Sequence, residues 1–381
     1  MQSRARVGSR VSSGWVLGYV AGAPVVLAPS WLVVAAILTW IFLPTVRTAA
    51  PDLGPITTVV AAAGFPVLLA LSVLLHEIGH GLTGRRFGAP PTEYVITLWG
   101  GHTQFQRELP SPAVSALVAI AGPAANAVLG VLAWWATGTA SGVLGLLVWA
   151  AAIANGFVAV FNVLPGLPLD GGRVLEALVW RVTGDRLRGT VAAGWSGRAL
   201  AVVVAVGWLG VPLLQGRQPT PVSAITVVLV SGFLWAGATQ AIAGTGAARR
   251  ADSIDLLHLA QPAVSVPVGS TLGDVDGAVP GGIAVVLVAD GLPVALVDPA
   301  AAAAVPAHLR RETALEAVAV PLSAQSVVSQ RRGLAAVRAM TVAQHAGPVA
   351  VLVDPVAGAP QVVGVVPVAA VARALRRAGR A

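Results

Sequence analysis

The chain has 381 residues, is 56% hydrophobic and only 10% charged, and has a mean hydropathy of +0.80. That balance lies outside the range of soluble globular domains and points to a polytopic membrane protein. Cysteine is absent, which excludes disulfides, thiolate metal sites and cysteine catalysis. The formal net charge of +8 is carried by 24 arginines with no lysine. These arginines lie beside apolar runs, so their charge reads as orientation in an anionic bilayer rather than nucleic-acid binding. The alanine and arginine bias suits a high-GC bacterium, and hence a bacterial plasma membrane.

Residues 1–24 read as an N-terminal cytoplasmic arm carrying Arg4, Arg6 and Arg10. The apolar stretch after it is too long for a cleavable signal peptide. Six spans follow within 25–246, at about 25–43, 56–81 with a kink at Pro66, 113–136, 143–164, 199–214 and 222–243. Arg85, Arg86 and Arg107 follow the second span, and Arg173, Arg181, Arg186, Arg188 and Arg198 follow the fourth. Arg249 and Arg250 follow the sixth, while the alternate connections hold only Arg47 and Arg217. This asymmetry places both termini in the cytoplasm.

The second span ends in His76-Glu77-Ile78-Gly79-His80, the pattern H-E-x-x-H. Two imidazoles at i and i+4 share one helix face and can reach one metal ion, and Glu77 lies beside them as a general base for a zinc-bound water. Ionisable groups at membrane depth mark a functional site by default. A catalytic zinc site takes three protein ligands and keeps one open position, so a third ligand must come from another segment. Span four ends on the same side in a Pro/Gly-rich stretch, Asn162 to Gly172, that contains Asp170. Asp170 alone would serve equally as an N-cap for the following helix, but beside His76 and His80 it reads as the third ligand.

These two elements resemble the site-2 proteases, a family of intramembrane zinc metalloproteases that pairs H-E-x-x-H with N-x-x-P-x-x-x-L-D-G. The second motif is matched by Asn162, Pro165, Leu169, Asp170 and Gly171. Gly100-Gly101 and Gly122-Pro123-Ala124-Ala125-Asn126 match two lesser signatures. The resemblance implies that His76, His80 and Asp170 bind one catalytic zinc ion. It further implies that Glu77 activates the water and that Asn162 hydrogen-bonds the oxyanion or the substrate backbone. It also implies transmembrane protein substrates, such as tethered anti-sigma factors, and a strand loop at 92–105 that pairs with an unwound substrate. His102 reads as a loop histidine without a catalytic part, and Asn126 as structural.

Residues 247–381 read as a cytoplasmic α/β domain. Two β-rich pairs, at 281–298 and 347–366, each preceded by a helix and followed by an alanine-rich one, resemble a tandem CBS module. Nucleotide-binding copies carry a Ser/Thr and an Asp three residues on, but this chain has Asp298 and Ala301, and Pro367 and Ala370. Adenine-nucleotide binding is therefore not expected, and dimerisation or partner binding gains weight. The alternatives to an intramembrane endopeptidase are a non-catalytic receptor or scaffold and, more weakly, a transporter. A scaffold has no need of four costly polar groups, His76, Glu77, His80 and Asp170, in lipid, and a transporter would explain broken helices and buried carboxylates but not H-E-x-x-H.

Overall fold

A computed structural model describes residues 12–216, 218, 220–276, 282–356 and 359–378. Arg4, Arg6, Arg10 and Arg217, which entered the orientation argument, lie outside these residues. The chain divides into two compact units, Met1–Ala243 and Gly244–Ala381.

In the first unit, strands β1 (Trp15–Val20) and β2 (Ala23–Leu27) precede helices α1 (Trp31–Ala49) and α2 (Pro55–Arg86). Strands β3 (Pro91–Thr97) and β4 (Gly100–Phe105) lead to α3 (Pro112–Ala136), α4 (Gly142–Val163), α5 (Asp170–Thr183), α6 (Arg186–Leu214) and α7 (Pro221–Asp252), whose residues from Gly244 onward count with the second unit. Six of these helices, all except α5, are long and apolar enough to cross a membrane, and the protein is multi-pass. Their ends follow local chemistry. Proline opens α2 and α3, where its missing N–H is harmless. The Asp185 carboxylate caps α6 by accepting from the Leu187 and Arg188 amides, and Gly184 at φ +73° ends α5.

Two stretches differ from the sequence reading. Residues 15–27, expected as arm and start of the first span, form an antiparallel hairpin. The apolar run of Ala23–Leu27 comes from burial in a sheet, with Ala23, Val25 and Val26 at most 4% exposed, and the first span begins only at Trp31. The fifth span begins at Arg186 rather than 199, so Arg198 lies inside α6. Its guanidinium donates to Thr239 Oγ1 at 3.1–3.2 Å and sits over the Trp195 and Trp235 rings, 4.7 and 5.2 Å from their centroids. Cation–π contact makes a charge tolerable there.

The four strands form one sheet in the order β1-β2-β3-β4, with β2 and β3 parallel and the other pairs antiparallel. Ala23, Val25 and Tyr94 of the sheet pack with Leu74 and Ile78 of α2. This packing brings the edge strand β4 over the His76–His80 turn of α2.

The second unit has strands β5 (Ala263–Pro267), β6 (Ala284–Ala289), β7 (Leu292–Val297), β8 (Ala319–Pro321), β9 (Val327–Val328), β10 (Val349–Val356) and β11 (Ala359–Pro367). Its helices are α8 (Pro299–Ala304), α9 (Gly333–Ala343) and α10 (Val368–Ala378). The sheets have the orders β5-β6-β7-β8 and β11-β10-β9. In each, a parallel pair (β5 with β6, β9 with β10) continues into an antiparallel hairpin and then a helix. Val286, Val351, Val353 and Val365 form a buried cluster shared by the two sheets. The expected helix before the first hairpin differs: among the described residues only a single 3-10 turn, Leu272–Val275, lies between β5 and β6.

Candidate metal centre

On α2, residues 76 and 80 are one helical turn apart, and their Nε2 atoms stand 3.0 Å from each other. Asp170, the first residue of α5, brings Oδ2 to 3.0 Å from His76 Nε2 and 3.4 Å from His80 Nε2. Three donor atoms thus form a small triangle. A tetrahedral zinc ion with bonds of about 2.0–2.2 Å separates its ligand atoms by roughly 3.3–3.5 Å, so the triangle is within a few tenths of an ångström of that geometry. Glu77 is also buried, and its ligand atom lies within 4.8 Å of those of both histidines. Its carboxylate is already engaged, however, because Thr103 Oγ1 donates to Oε2 at 2.7 Å. Asp170 is therefore the closer and better-aimed third donor.

Two observations test whether a metal fits. Asp170 Oδ2 is buried with no hydrogen-bond partner, an orphaned acceptor beside two imidazoles. The second is Gly122 of α3, on which a Cβ would lie 2.5 Å from His80 Nε2 and 2.7 Å from His76 Nε2. The missing side chain leaves the space in front of the two nitrogens open. The far nitrogens are tied back: His80 Nδ1 donates to the Val118 carbonyl at 2.6 Å, and His76 Nδ1 donates to Asn126 Oδ1 at 2.5 Å. Both imidazoles so held turn an Nε2 lone pair to the triangle, the arrangement of metal-ligating histidines. The site fits a divalent ion with two imidazoles and a carboxylate, and zinc by donor type.

The triangle opens into a cavity of about 530 Å³ lined by Val73, Trp99, Gly101, His102, Asn162 and Phe233 among others. Gly101 allows the close approach of β4, since a Cβ there would meet Glu77 Cγ at 2.6 Å. Asn162 lies in the cavity wall near the end of α4, and its Nδ2 donates to the Val158 carbonyl at 3.1 Å. His102 sits on β4, exposed and paired across the strands with Val95. The structure thus brings together His76, Glu77, His80 and Asp170, with Asn162 in the same cavity. Sequence reasoning missed Thr103 and discounted Asn126. Thr103 stands two residues past the Gly100-Gly101 pair on an alternating strand, which was the available signal.

Comparison with known proteins bears on this pairing of α2 with α5. Residues 64–143 and 136–206 match the model of Peptidase family M50. The M50 match thus covers both the H-E-x-x-H helix and Asp170. A Mycobacterium tuberculosis protein named as the zinc metalloprotease Rip3 is 30% identical over 229 residues, 59% of this chain and 57% of its own length. A Synechocystis protein also named as a zinc metalloprotease is 30% identical over 222 residues, 57% of each chain. The M50-like chain therefore spans little more than half the length of these relatives. Among solved structures, the site-2 protease from Methanocaldococcus jannaschii is similar at 23% identity and a TM-score of 0.40, covering 60% of this chain and 94% of that one.

Proposed function

We propose that the chain is an intramembrane zinc endopeptidase that hydrolyses peptide bonds of membrane-spanning substrates. The observation that carries this reading is the triangle of His76 Nε2, His80 Nε2 and Asp170 Oδ2, open on the Gly122 side, with the Glu77 carboxylate beside it. Similarity to proteins named as zinc metalloproteases supports the choice of metal. When bound, zinc supplies Lewis acidity that makes water ionisable near neutral pH. The chain's own groups do the rest. Glu77 takes the proton of the attacking water and returns it to the leaving amine, while Thr103 holds the carboxylate in place through Oε2. Asn162, free to turn its amide from Val158 into the cavity, donates to the developing oxyanion or to substrate backbone.

The free edge of β4 supports a way of presenting substrate. It is the outer strand of the sheet, and its residues 100–103 and 105 line the cavity. An unwound substrate that adds to this edge has its peptide bonds unshielded and beside Glu77. Tethered regulators such as anti-sigma factors are the substrate class in this reading. The arginine asymmetry supports an orientation in a bacterial plasma membrane with both termini in the cytoplasm. The second unit acts as a CBS-like regulatory module that suits homodimerisation or partner binding. Its Asp298 carboxylate caps α8 through the Ala300 amide at 2.9 Å, and Ala301 stands where nucleotide-binding copies carry the Asp that holds the ribose.

The test is zinc content together with cleavage of a tagged transmembrane reporter, using full-length protein in detergent. Wild type is expected to hold one zinc ion and to cut. Glu77→Ala is expected to keep zinc and lose cleavage, and Asp170→Ala to lose both. A folded wild-type protein without zinc sinks the reading in favour of the receptor.

A further inference from the structure

Behind His76, away from the metal triangle, lie three buried polar side chains from three membrane helices: Ser72 of α2, Asn126 of α3 and Asn155 of α4. Their hydrogen bonds form a directed chain. Asn155 Nδ2 donates to the Ala151 carbonyl at 2.8 Å. A backbone carbonyl only accepts, so this bond fixes which end of the Asn155 amide is nitrogen and leaves Oδ1 facing Asn126. Asn155 Oδ1 accepts from Asn126 Nδ2 at 2.8 Å and from Ser72 Oγ at 2.7 Å, and Ser72 Oγ accepts from Asn126 Nδ2 at 2.9 Å. Both Asn126 amide hydrogens are thereby used. Its Oδ1 is left for His76, and an oxygen there requires the proton on His76 Nδ1.

We propose that Ser72, Asn126 and Asn155 are positioning residues that lock His76 in its Nδ1–H tautomer and so aim its Nε2 lone pair at the metal. The inference rests on the metal-site reading above and deepens it. Mere helix adhesion would need polar contacts but no particular direction. Here each hydrogen bond among the three side chains has a fixed donor and acceptor, and the direction runs from a main-chain carbonyl to a metal ligand. Ser72 and Asn155 border a separate apolar pocket of about 230 Å³, lined by Leu38, Phe42 and Phe65 among others, and neither lines the cavity at the metal triangle. His80 needs no such relay, because a main-chain carbonyl holds it directly. In lipid, a broken relay has no water to repair it, and His76 would be free to adopt the other tautomer.

The experiment measures zinc affinity of the full-length protein in detergent by competition with a chromophoric chelator, and the visible spectrum after cobalt substitution. Wild type is compared with Asn126→Leu, Asn126→Asp, Ser72→Ala and Asn155→Ala. Removing the acceptor in Asn126→Leu is expected to weaken zinc about 10- to 100-fold, as loss of such histidine partners does, and to change the cobalt spectrum. Asn126→Asp keeps an oxygen facing His76 and is expected to stay within about threefold of wild type. A purely adhesive role predicts that Asn126→Asp is as damaging as Asn126→Leu, since both lose the bridging donor. Folded Asn126→Leu with wild-type affinity and spectrum overturns the relay. Should that variant not fold, Ser72→Ala and Asn155→Ala decide: several-fold weaker zinc is expected, and unchanged affinity in both overturns it. Wild-type protein that binds no zinc at all sinks the metal site itself, a different outcome from wild-type binding with unaffected variants.

Discussion

A single methyl group at Gly122 separates the metal site from the fold that holds it. In a helix interior, Gly→Ala is favourable by about 1 kcal/mol, so α3 itself gains from the change. The new Cβ would lie 2.5 Å from His80 Nε2, 2.6 Å from its Cε1 and 2.7 Å from His76 Nε2, whereas ordinary contact begins at 3.4 Å. The His80 ring must then retreat by about 0.9 Å, the difference of 3.4 and 2.5, although a metal site tolerates only about ±0.2 Å in its bonds. Misplacement on that scale lowers activity roughly 100-fold. Gly122→Ala is expected to lose zinc on dialysis against a mild chelator and to stop cutting. It should melt at or above the temperature of metal-free wild type. A Gly122→Ala protein that keeps one zinc ion through the same dialysis refutes the geometry.

Thr103→Val removes the hydroxyl that donates to Glu77 Oε2, a hydrogen bond to a charged group, so reporter cleavage should fall about 10- to 100-fold while zinc content stays unchanged. Gly171→Ala is predicted to prevent folding of the site, because its Cβ would fall 2.1 and 2.4 Å from the Val163 and Leu164 carbonyl oxygens; low yield of monodisperse protein is the readout. In the second unit, burial opposes the charge on Asp255, but the Leu257 amide and the Arg332 and Arg331 guanidinia hold its carboxyl well below the usual carboxylate range. A depressed native value gives stability that is full above the unfolded value near about 4 and is lost as pH falls through the native one. Amide protection factors around residues 254–257 and 331–333 should therefore hold from neutral pH to about 4, then drop, and Asp255→Asn should flatten that drop.

The chemistry of the site was legible in the sequence because its spacing is local: His76 and His80 are one helical turn apart, and Asp170 stands in a Pro/Gly break. The groups that orient these residues were not legible, because they arrive from other helices. Nothing about residue 126 says that it meets residue 76 across α2 and α3, and a lone asparagine in an apolar run reads as structural. The β1–β2 hairpin was missed for another reason. Its turn is Ala21-Gly22, with φ +54° and +86°, and alanine at a left-handed position carries none of the signal of Asn-Gly. The start of α6 was misplaced because Arg186, Arg188 and Arg198 look like a polar connection, while the tryptophans and Thr239 that accommodate Arg198 lie on its own helix and on α7.

Helices in a bilayer are not pressed together by water, since lipid tails solvate their apolar faces as well as a neighbouring helix does. In that setting the position of Asp170 has a mechanical meaning. It heads α5, which packs on α3 and α6, whereas the histidines belong to α2. An ion held by all three would be a rivet between two parts of the bundle whose ligands stand 90 residues apart in sequence, from 80 to 170. Stripping the metal would then do more than silence the chemistry. It would leave two like-aimed lone pairs facing a carboxylate across an empty seam, and the bundle would be at its loosest where substrate has to enter.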